Sequence, residues 1–448
     1  MYTLSNRLKI FSVALMLLGA LGWFYSYSTS HVSLEDVKTM LAEEASHGGD
    51  HGEAADTHTV AQESHTTTDS HESESHDSAE AHDDEHAEHV MHQIHNRPYS
   101  ALYIAAFFFF MIALGALAFY GIQWAAQAGW SPVLFRVMEA ITYYVLPGGL
   151  LVLVIGYWAD SHIFIWMDPD VVAHDELIQG KSGWLNKTGW LIRGLIFLGG
   201  WSFYRWISRK YSIAQDTAED KRNYVKTFRW SAAFLVFYIY TESMMSWDWI
   251  MSVDPHWFST LFGWYVFASM FVSGITVIAL ITLYLKSKGL MEFVNDSHMH
   301  DLAKFMFAIS IFWTYLWFSQ FMLIWYANIP EEVTYFVTRI EDYKLPFFGM
   351  LVMNFIFPFL VLMNSDYKRV PWFIVMAGIV ILIGHYVDVF NMIMPATVGD
   401  RWSIGLPELS AVALFLGLFL LLVFYALSKA SLLPKGNPFI KESEHFHY

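Results

Sequence analysis

Two ionisable residues, His385 and Asp388, interrupt the otherwise apolar stretch ILIGHYVDVFNM. Residues spaced i and i+3 share one face of a helix, so the imidazole and the carboxylate would be neighbours. A nearby carboxylate favours the protonated imidazole while burial opposes it, and this balance keeps a histidine titratable near neutral pH. The pair could therefore accept protons that a substrate releases.

Ten apolar blocks, each near or above the roughly 20 residues that cross a bilayer, are the elements that would position these groups. They cover residues 9–27, 101–124, 134–158, 187–208, 229–247, 258–285, 303–328, 345–363, 371–394 and 404–428. With 55% hydrophobic residues, the chain is predicted to be an all-α polytopic membrane protein of about ten transmembrane helices. Spans 2 to 5 and 6 to 9 are expected to form two four-helix bundles flanked by spans 1 and 10, and residues 330–341 a short interfacial helix.

The positive charges predict the orientation of the chain. With the N-terminus inside, 18 of the 26 Lys and Arg residues lie in inner segments or at inner helix ends. Cytoplasmic loops retain such residues, so both termini are expected to be cytoplasmic, including a tail at 429–448. Residues 1–28 are expected to be a retained N-terminal anchor helix; the alternative is a cleaved signal peptide, because Arg7 and Lys9 precede the apolar block.

An acidic, histidine-rich segment separates the first two spans. Residues 29–96 contain 17 acidic residues, one Lys and 12 of the 20 histidines, in low-complexity text such as HESESHDSAEAHDDEHAEH. We therefore predict an outer-side arm at 29–97, disordered or loosely helical and well solvated, followed by the transmembrane domain at 98–428. Metal chelation by His82, His86, His89, His92 and His95 is the alternative, although no fixed four-ligand pattern is visible.

Charged and polar groups inside the spans are functional candidates, because burying them in hydrocarbon is costly. At a rise of about 1.5 Å per residue, five such groups on four spans share one depth band in the outer half of the membrane, whereas Glu139 lies alone near the inner surface. The predicted proton-relay residues are Glu139, Glu242, His385, Asp388, Tyr238, Ser310 and Thr314. The candidate quinol-pocket residues are Arg193, Gln320 and His385. The alternative is that these groups hydrogen-bond one another and fix helix packing.

The chain has no cysteine and only one histidine deep in a span. This excludes cysteine-ligated iron-sulfur clusters and covalently attached haem c, and it argues against a membrane haem b, which usually needs two facing histidines. No metal ligand and no catalytic residue is assigned. Any redox centre is therefore expected in a partner.

Three longer strings resemble one family: SWDWIMSVDPHWFSTLFGWYVFASMFVSG (246–274), FSQFMLIWYANIPEE (318–332) and HDELIQGKSGWLN (174–186). They resemble the F subunit of bacterial alternative complex III, an NrfD-like protein similar to the membrane subunit of polysulfide reductase. The likeness covers about residues 100–428. It implies an inner-membrane subunit of a quinol:cytochrome c oxidoreductase, two four-helix bundles and proton conduction. In such a membrane, the outer-side His-rich arm predicted from the charges would be periplasmic.

The resemblance also implies partners. These are a second NrfD-like membrane subunit, an iron-sulfur subunit and c-type cytochrome subunits, with a terminal oxidase as a further candidate and no nucleic acid. Iron-sulfur clusters and haem c would be held by the partners. No cofactor is expected to be bound covalently to this chain, and its candidate cofactor is a quinone, for example menaquinone. A proton-coupled secondary transporter and a purely structural scaffold are the alternatives from other functional classes.

Overall fold

The computed structural model describes residues 2–47 and 75–447, with only the backbone for residues 47 and 75–83. All regular secondary structure in these ranges is helical, which confirms the predicted all-α class. The helices are α1 (Asn6–Thr29), α2 (Leu34–His47), α3 (Ser75–Ala125), α4 (Phe135–Ile141), α5 (Val145–Trp158), α6 (Asp160–Ile163), α7 (Pro169–His174), α8 (Glu176–Lys181), α9 (Lys187–Gln215), α10 (Arg222–Trp249), α11 (Phe262–Ser287), α12 (Asp296–Ala327), α13 (Pro330–Glu341), α14 (Lys344–Leu351), α15 (Phe357–Leu362), α16 (Pro371–Val398), α17 (Leu406–Leu427) and α18 (Ile440–Glu444).

All ten predicted spans lie on helices, but only eight helical segments in the described residues are both long and apolar enough to cross a membrane. The other two are α9 and α10, the predicted spans 4 and 5, which are 29 and 28 residues long. Arginine, tryptophan and tyrosine residues lower their mean hydropathy. The count on this criterion is therefore eight rather than ten, while a short helix at 330–341 is confirmed as α13.

Two closed groups of helices make up the membrane domain. In the first bundle, α3 contacts α5, α5 contacts α9, α9 contacts α10 and α10 returns to α3. In the second bundle the same cycle joins α11, α12, α15 and α16. Helices α1 and α17 pack along each other and against α3, outside the two cycles. This is the predicted pair of four-helix bundles flanked by spans 1 and 10.

The two bundles meet where α3 crosses α11. A Cβ atom on Gly274 would lie 2.5 Å from the backbone nitrogen of Ala116 and 2.7 Å from the carbonyl carbon of Gly115. Only glycine allows two helix backbones to approach this closely, as is common between transmembrane helices. Helix α3 also contacts α16, so its apolar stretch is buried on all sides, as expected for a helix that is hydrophobic all round.

Most of the described part of the segment predicted as the outer arm is helical; residues 30–33, between α1 and α2, are not. Helix α2 packs on the first half of α3 through Val37, Ala87 and Val90, and α3 continues without interruption through the expected boundary at residue 97. No group of three or more metal-ligating side chains capable of holding an ion occurs in the described residues, and His82 lies outside those with described side chains. Residues 48–74 of the arm lie outside the described residues.

Candidate proton-transfer site

Asp388 lies at the centre of the second bundle, fully buried together with His385. Tyr265 on α11 donates a hydrogen bond to its Oδ1. Trp313 Nε1 on α12 donates to its Oδ2 over 2.9 Å, and the His385 Nδ1 lies 3.4 Å from the same oxygen. Three helices thus converge on one carboxylate, and the predicted neighbourhood of His385 and Asp388 is confirmed.

Ser269 bridges the imidazole and the carboxylate. Its hydroxyl lies 2.8 Å from His385 Nδ1 and 2.9 Å from Asp388 Oδ2. When Nδ1 carries a proton it donates to the hydroxyl, which in turn donates to the carboxylate. A proton can therefore pass between the ring and Asp388 through one hydroxyl, without movement of either helix.

A distortion in the predicted span 8 brings Asn354 to the same ring nitrogen of His385 that Ser269 contacts. Between α14 and α15 the chain forms a π-helical turn, Val352–Ile356, in which Phe357 donates its N–H to the carbonyl of Val352. Pro358 follows and has no N–H for the carbonyl four residues before it, which accounts for a local departure from α-helical bonding. The Asn354 amide lies 3.5 Å from His385 Nδ1, in the space left by Gly384, where a Cβ atom would overlap the Asn354 oxygen.

The contacts of His385 define two hydrogen-bonding states. With Nδ1 unprotonated, the ring can accept from Asn354 or Ser269; with Nδ1 protonated, it donates to Ser269. The second ring nitrogen, Nε2, is buried and has no hydrogen-bond partner among the described residues. The histidine is therefore held at one nitrogen only, an arrangement that suits a proton carrier.

Hydroxyl groups continue from this site towards the predicted inner side. Tyr265, Ser269, Ser273 and Thr276 follow one another at steps of four, four and three on one face of α11, and Ser273 donates to the backbone oxygen of Ser269. Thr276 is fully buried, and its hydroxyl has no partner among the described residues. This face could carry protons along α11. None of its four residues was predicted from the sequence to belong to the site.

The hydroxyls predicted on span 7 lie elsewhere. Thr314 donates to the backbone oxygen of Ser310, while the buried hydroxyl of Ser310 has no partner in the described part of the chain. Both are on α12, close in sequence to Trp313. Neither contacts Glu139, whose hydrogen-bond partners come from α3, α4 and α9.

A narrow cleft beside α13 reaches Tyr265, the residue that donates a hydrogen bond to Asp388. Its walls include Tyr265, Gln320, Tyr335, Arg339 and Asn391, and its volume of about 10 Å³ is close to that of one water molecule. The Arg339 guanidinium lies 3.3 Å from the centre of the Tyr335 ring and donates to backbone carbonyls, including that of Asn391 over 3.0 Å. The cleft therefore suits water and protons, and it is too small for a quinol ring.

Glu242 lies on α10, facing α11 from the first bundle. It is 3% exposed and accepts hydrogen bonds from Ser246 over 3.1 Å and Ser243 over 3.4 Å. Tyr238, one turn away, donates to the sulfur of Met270 over 3.0 Å. The two predicted relay residues therefore share a surface without bonding each other, and no direct contact joins them to Asp388.

Glu139 belongs to a dense ion-pair network. Its carboxylate accepts from Arg136 over 2.7 Å, Arg209 over 3.2 Å, Ser212 over 2.6 Å and Tyr120 over 3.0 Å. Sequence depth placed this residue alone, but the folded chain surrounds it with two guanidinium groups and two hydroxyls. Such a site holds helices α3, α4 and α9 together.

Arg193 is part of a second ion pair, at the end of the first bundle near the loop before α9. Its guanidinium donates to Asp248 over 2.5 Å and lies over the Trp184 ring at 4.2 Å, while Trp184 donates to the same carboxylate over 2.7 Å. Gln320 lines the narrow cleft, whereas His385 contacts Ser269 and Asp388 and is not part of that lining. The three residues predicted for a quinol pocket are therefore distributed over separate sites.

Together these features define an all-α, multi-pass membrane protein in which two four-helix bundles enclose several buried carboxylates. No protein-family model and no curated protein matches this chain.

Proposed function

We propose that this chain is an integral membrane subunit of a respiratory quinol:cytochrome c oxidoreductase in a bacterial inner membrane, where it supports quinol oxidation and conducts protons. Electrons would pass through iron-sulfur clusters and haem c held by partner subunits. This assignment is supported by the three strings that resemble the alternative complex III F subunit and by the absence of cysteine from the chain.

One observation carries the proton-conducting part: Asp388 and His385 are fully buried, joined through Ser269, and no lysine or arginine forms an ion pair with Asp388 among the described residues. A carboxyl group surrounded by hydroxyl, indole and imidazole groups can change protonation without breaking an ion pair. Such a group in a membrane helix is typical of a proton relay.

The path would begin in the narrow cleft. A proton entering beside Gln320 reaches the Tyr265 hydroxyl, which passes its own proton to Asp388 and takes up the new one. Ser269 then exchanges the proton between Asp388 and His385. Ser273 and Thr276 extend the same helix face, on which the proton would continue.

Isolation of the tagged chain from native membranes in mild detergent tests the proposal. We expect c-type cytochrome and iron-sulfur subunits to copurify, identified by mass spectrometry and by a haem c band in the reduced-minus-oxidised spectrum. A colourless protein purified alone would overturn the assignment to a respiratory complex and would favour the proton-coupled transporter.

A further inference from the structure

A recess between α3, α10 and α11 has a carboxyl group on its wall. Its volume is about 150 Å³, and its lining includes Ile122, Tyr238, Ile239, Glu242, Trp264 and Phe267. Glu242 is the one charged residue of this lining. The recess is thus a mainly apolar pocket with three aromatic side chains and a single acid, separate from the narrow cleft at Tyr265.

The recess lies beside an apolar part of the protein surface. Ile239 is 50% exposed and Trp264 is 46% exposed, and both line the recess. Val236 and Tyr240, on the same helix, are also exposed. Because these side chains lie at the level of the membrane spans, we expect the recess to be reached from the lipid phase rather than from water.

The size of the recess limits what can enter. An apolar cavity of about 150 Å³ accepts one benzene-sized ring. The flat faces of Trp264 and Phe267 favour an aromatic guest, since aromatic pairs gain from stacked or edge contacts. A long chain would have to remain outside, in the lipid.

The carboxyl group adds a polar requirement. Glu242 accepts hydrogen bonds from Ser246 and Ser243, and no lysine, arginine or histidine forms an ion pair with it among the described residues. Two carboxyl oxygens can accept more bonds than these two hydroxyls supply. A guest that brings a hydroxyl group would therefore gain a hydrogen bond in surroundings where water does not compete.

We propose that the recess binds a single hydroxyl-bearing aromatic ring that enters from the lipid phase and hydrogen-bonds to Glu242. A quinol head group has this chemistry, so the inference deepens the proposed function and rests on it for the natural ligand alone. It places the ring at α10 and α11 instead of at Arg193, Gln320 and His385.

Carbodiimide labelling in native membranes containing the full chain tests this site without turnover. The reagent adds across a carboxyl group: the acid proton goes to a nitrogen of the carbodiimide and the carboxyl oxygen bonds to its carbon. We expect hydrophobic dicyclohexylcarbodiimide to label Glu242, and peptide mass spectrometry detects the adduct. A water-soluble carbodiimide should label Glu242 at least about tenfold more slowly, because the entrance of the recess faces lipid. Glu139, equally buried but paired with Arg136 and Arg209, is the matched carboxylate and should stay unlabelled.

Ring binding is then measured as protection. We expect phenol to slow the labelling of Glu242 and to protect at about fivefold lower concentration than benzene, the difference expected for one hydrogen bond. Cyclohexanol, which keeps the hydroxyl without the aromatic ring, should protect weakly. Ile239→Trp should fill the recess and slow the labelling of Glu242 even without phenol, whereas Val236→Trp, on the exposed surface of the same helix, should leave labelling and protection unchanged.

Three results would overturn the inference. Labelling of Glu242 that phenol does not slow would exclude a ring site, and equal protection by cyclohexanol would exclude an aromatic one. If Glu242 is labelled only after unfolding in detergent, the recess does not open to the lipid. None of these outcomes depends on copurifying cytochromes, so a failure here is distinguishable from a failure of the proposed function.

Discussion

The first bundle pairs two of its buried carboxylates with arginine, whereas the second surrounds Asp388 with hydroxyl, indole and imidazole groups. Glu139 contacts Arg136 and Arg209, and Asp248 contacts Arg193. A guanidinium group keeps its proton at any physiological pH, so these pairs are fixed charges that join helices. Around Asp388, the Trp313 indole donates a hydrogen bond, and the hydroxyl and imidazole groups can also exchange protons.

Glu242 is the buried carboxylate of the first bundle that is not paired with arginine, and it lies at the edge of that bundle. It lies on α10 beside α11, the first helix of the second bundle, and its partners are serine hydroxyls. Among the described residues, the buried acids without arginine partners are Glu242 and Asp388, and they lie on helices that both contact α11. This helix separates a recess open to the surface from the buried network.

The largest expected effect is on the stability of the first bundle. Glu139→Gln leaves the Arg136 and Arg209 guanidinium groups without their shared carboxylate, and breaking a buried ion pair costs about 3 to 5 kcal/mol. Thermal unfolding of the detergent-solubilised protein measures this loss. Asp388→Asn is the matched variant and should cost less than about 1.5 kcal/mol, because an amide oxygen still accepts from Ser269 and Trp313. Equal losses would contradict the comparison between the bundles.

For activity we expect the larger loss in Asp388→Asn, the variant with the smaller expected loss of stability. Asp388→Asn removes the group that gains and loses the proton, and a positioned acid or base contributes about 100-fold or more to a proton-transfer step. We expect normal assembly with loss of quinol turnover or of proton translocation, measured in vesicles with a pH-sensitive dye. Glu242→Gln should have the same kind of effect. Unchanged activity in both variants would favour the purely structural scaffold.

A smaller effect is expected from two tyrosines that each donate a hydrogen bond to a buried carboxylate. Tyr265→Phe removes the hydroxyl between the cleft and Asp388, and Tyr120→Phe removes a hydroxyl from Glu139. Both variants lose one hydrogen bond, worth about 1 kcal/mol of stability. Proton translocation should slow about fivefold or more in Tyr265→Phe alone, because only that hydroxyl lies on the path. The same rate in both variants would exclude Tyr265 as a relay.

The sequence predicted the parts of the site that lie on one helix. His385 and Asp388 could be paired because three residues separate them in an apolar stretch. Tyr265, Ser269 and Trp313 could not be assigned to the site from the sequence, because hydroxyl and indole groups are common in membrane helices. Only the packing of α11 and α12 against α16 brings them to Asp388. The spacing of Tyr265 and Ser269 by four residues was the available signal.

Contacts between helices that are far apart in the sequence also explain why some groupings predicted from the sequence differ from the folded structure. Arg136 stands three residues before Glu139, which is a visible pairing distance, but Arg209 comes from a distant helix and only the fold brings it close. Arg193 and Gln320 were predicted to lie near each other because they have similar depths in their spans, but they belong to different bundles. Asn354 was missed because nothing in a single span shows which neighbour a π-helical turn will face; Pro358, four residues later, was the signal for the turn.

The smallest effect is expected outside the membrane spans, where charges are exposed and ion pairs join loops. Asp175 accepts from the backbone N–H groups of Leu177 and Ile178 and lies 2.6 Å from the Nε2 of His256, joining the start of α8 to the loop before α11. The Ile178 N–H, followed by the bond to His256, lowers the pKa of Asp175 below its usual value.

A lowered pKa fixes the sign of the pH dependence at Asp175. The contact is complete above the ordinary aspartate pKa of about 3.9 and is lost as the pH falls through the lowered value. We expect amide hydrogen exchange at residues 176–181 to become severalfold faster over that range, relative to exchange in the Asp175→Asn variant. Amide hydrogen exchange at Glu139 on α4 and at Asp388 on α16 should not follow the exchange of residues 176–181 over this pH range, because neither α4 nor α16 contacts Asp175. A loop that opens to the same extent in both proteins would assign its stability to the apolar contacts of Ile178 rather than to the carboxylate.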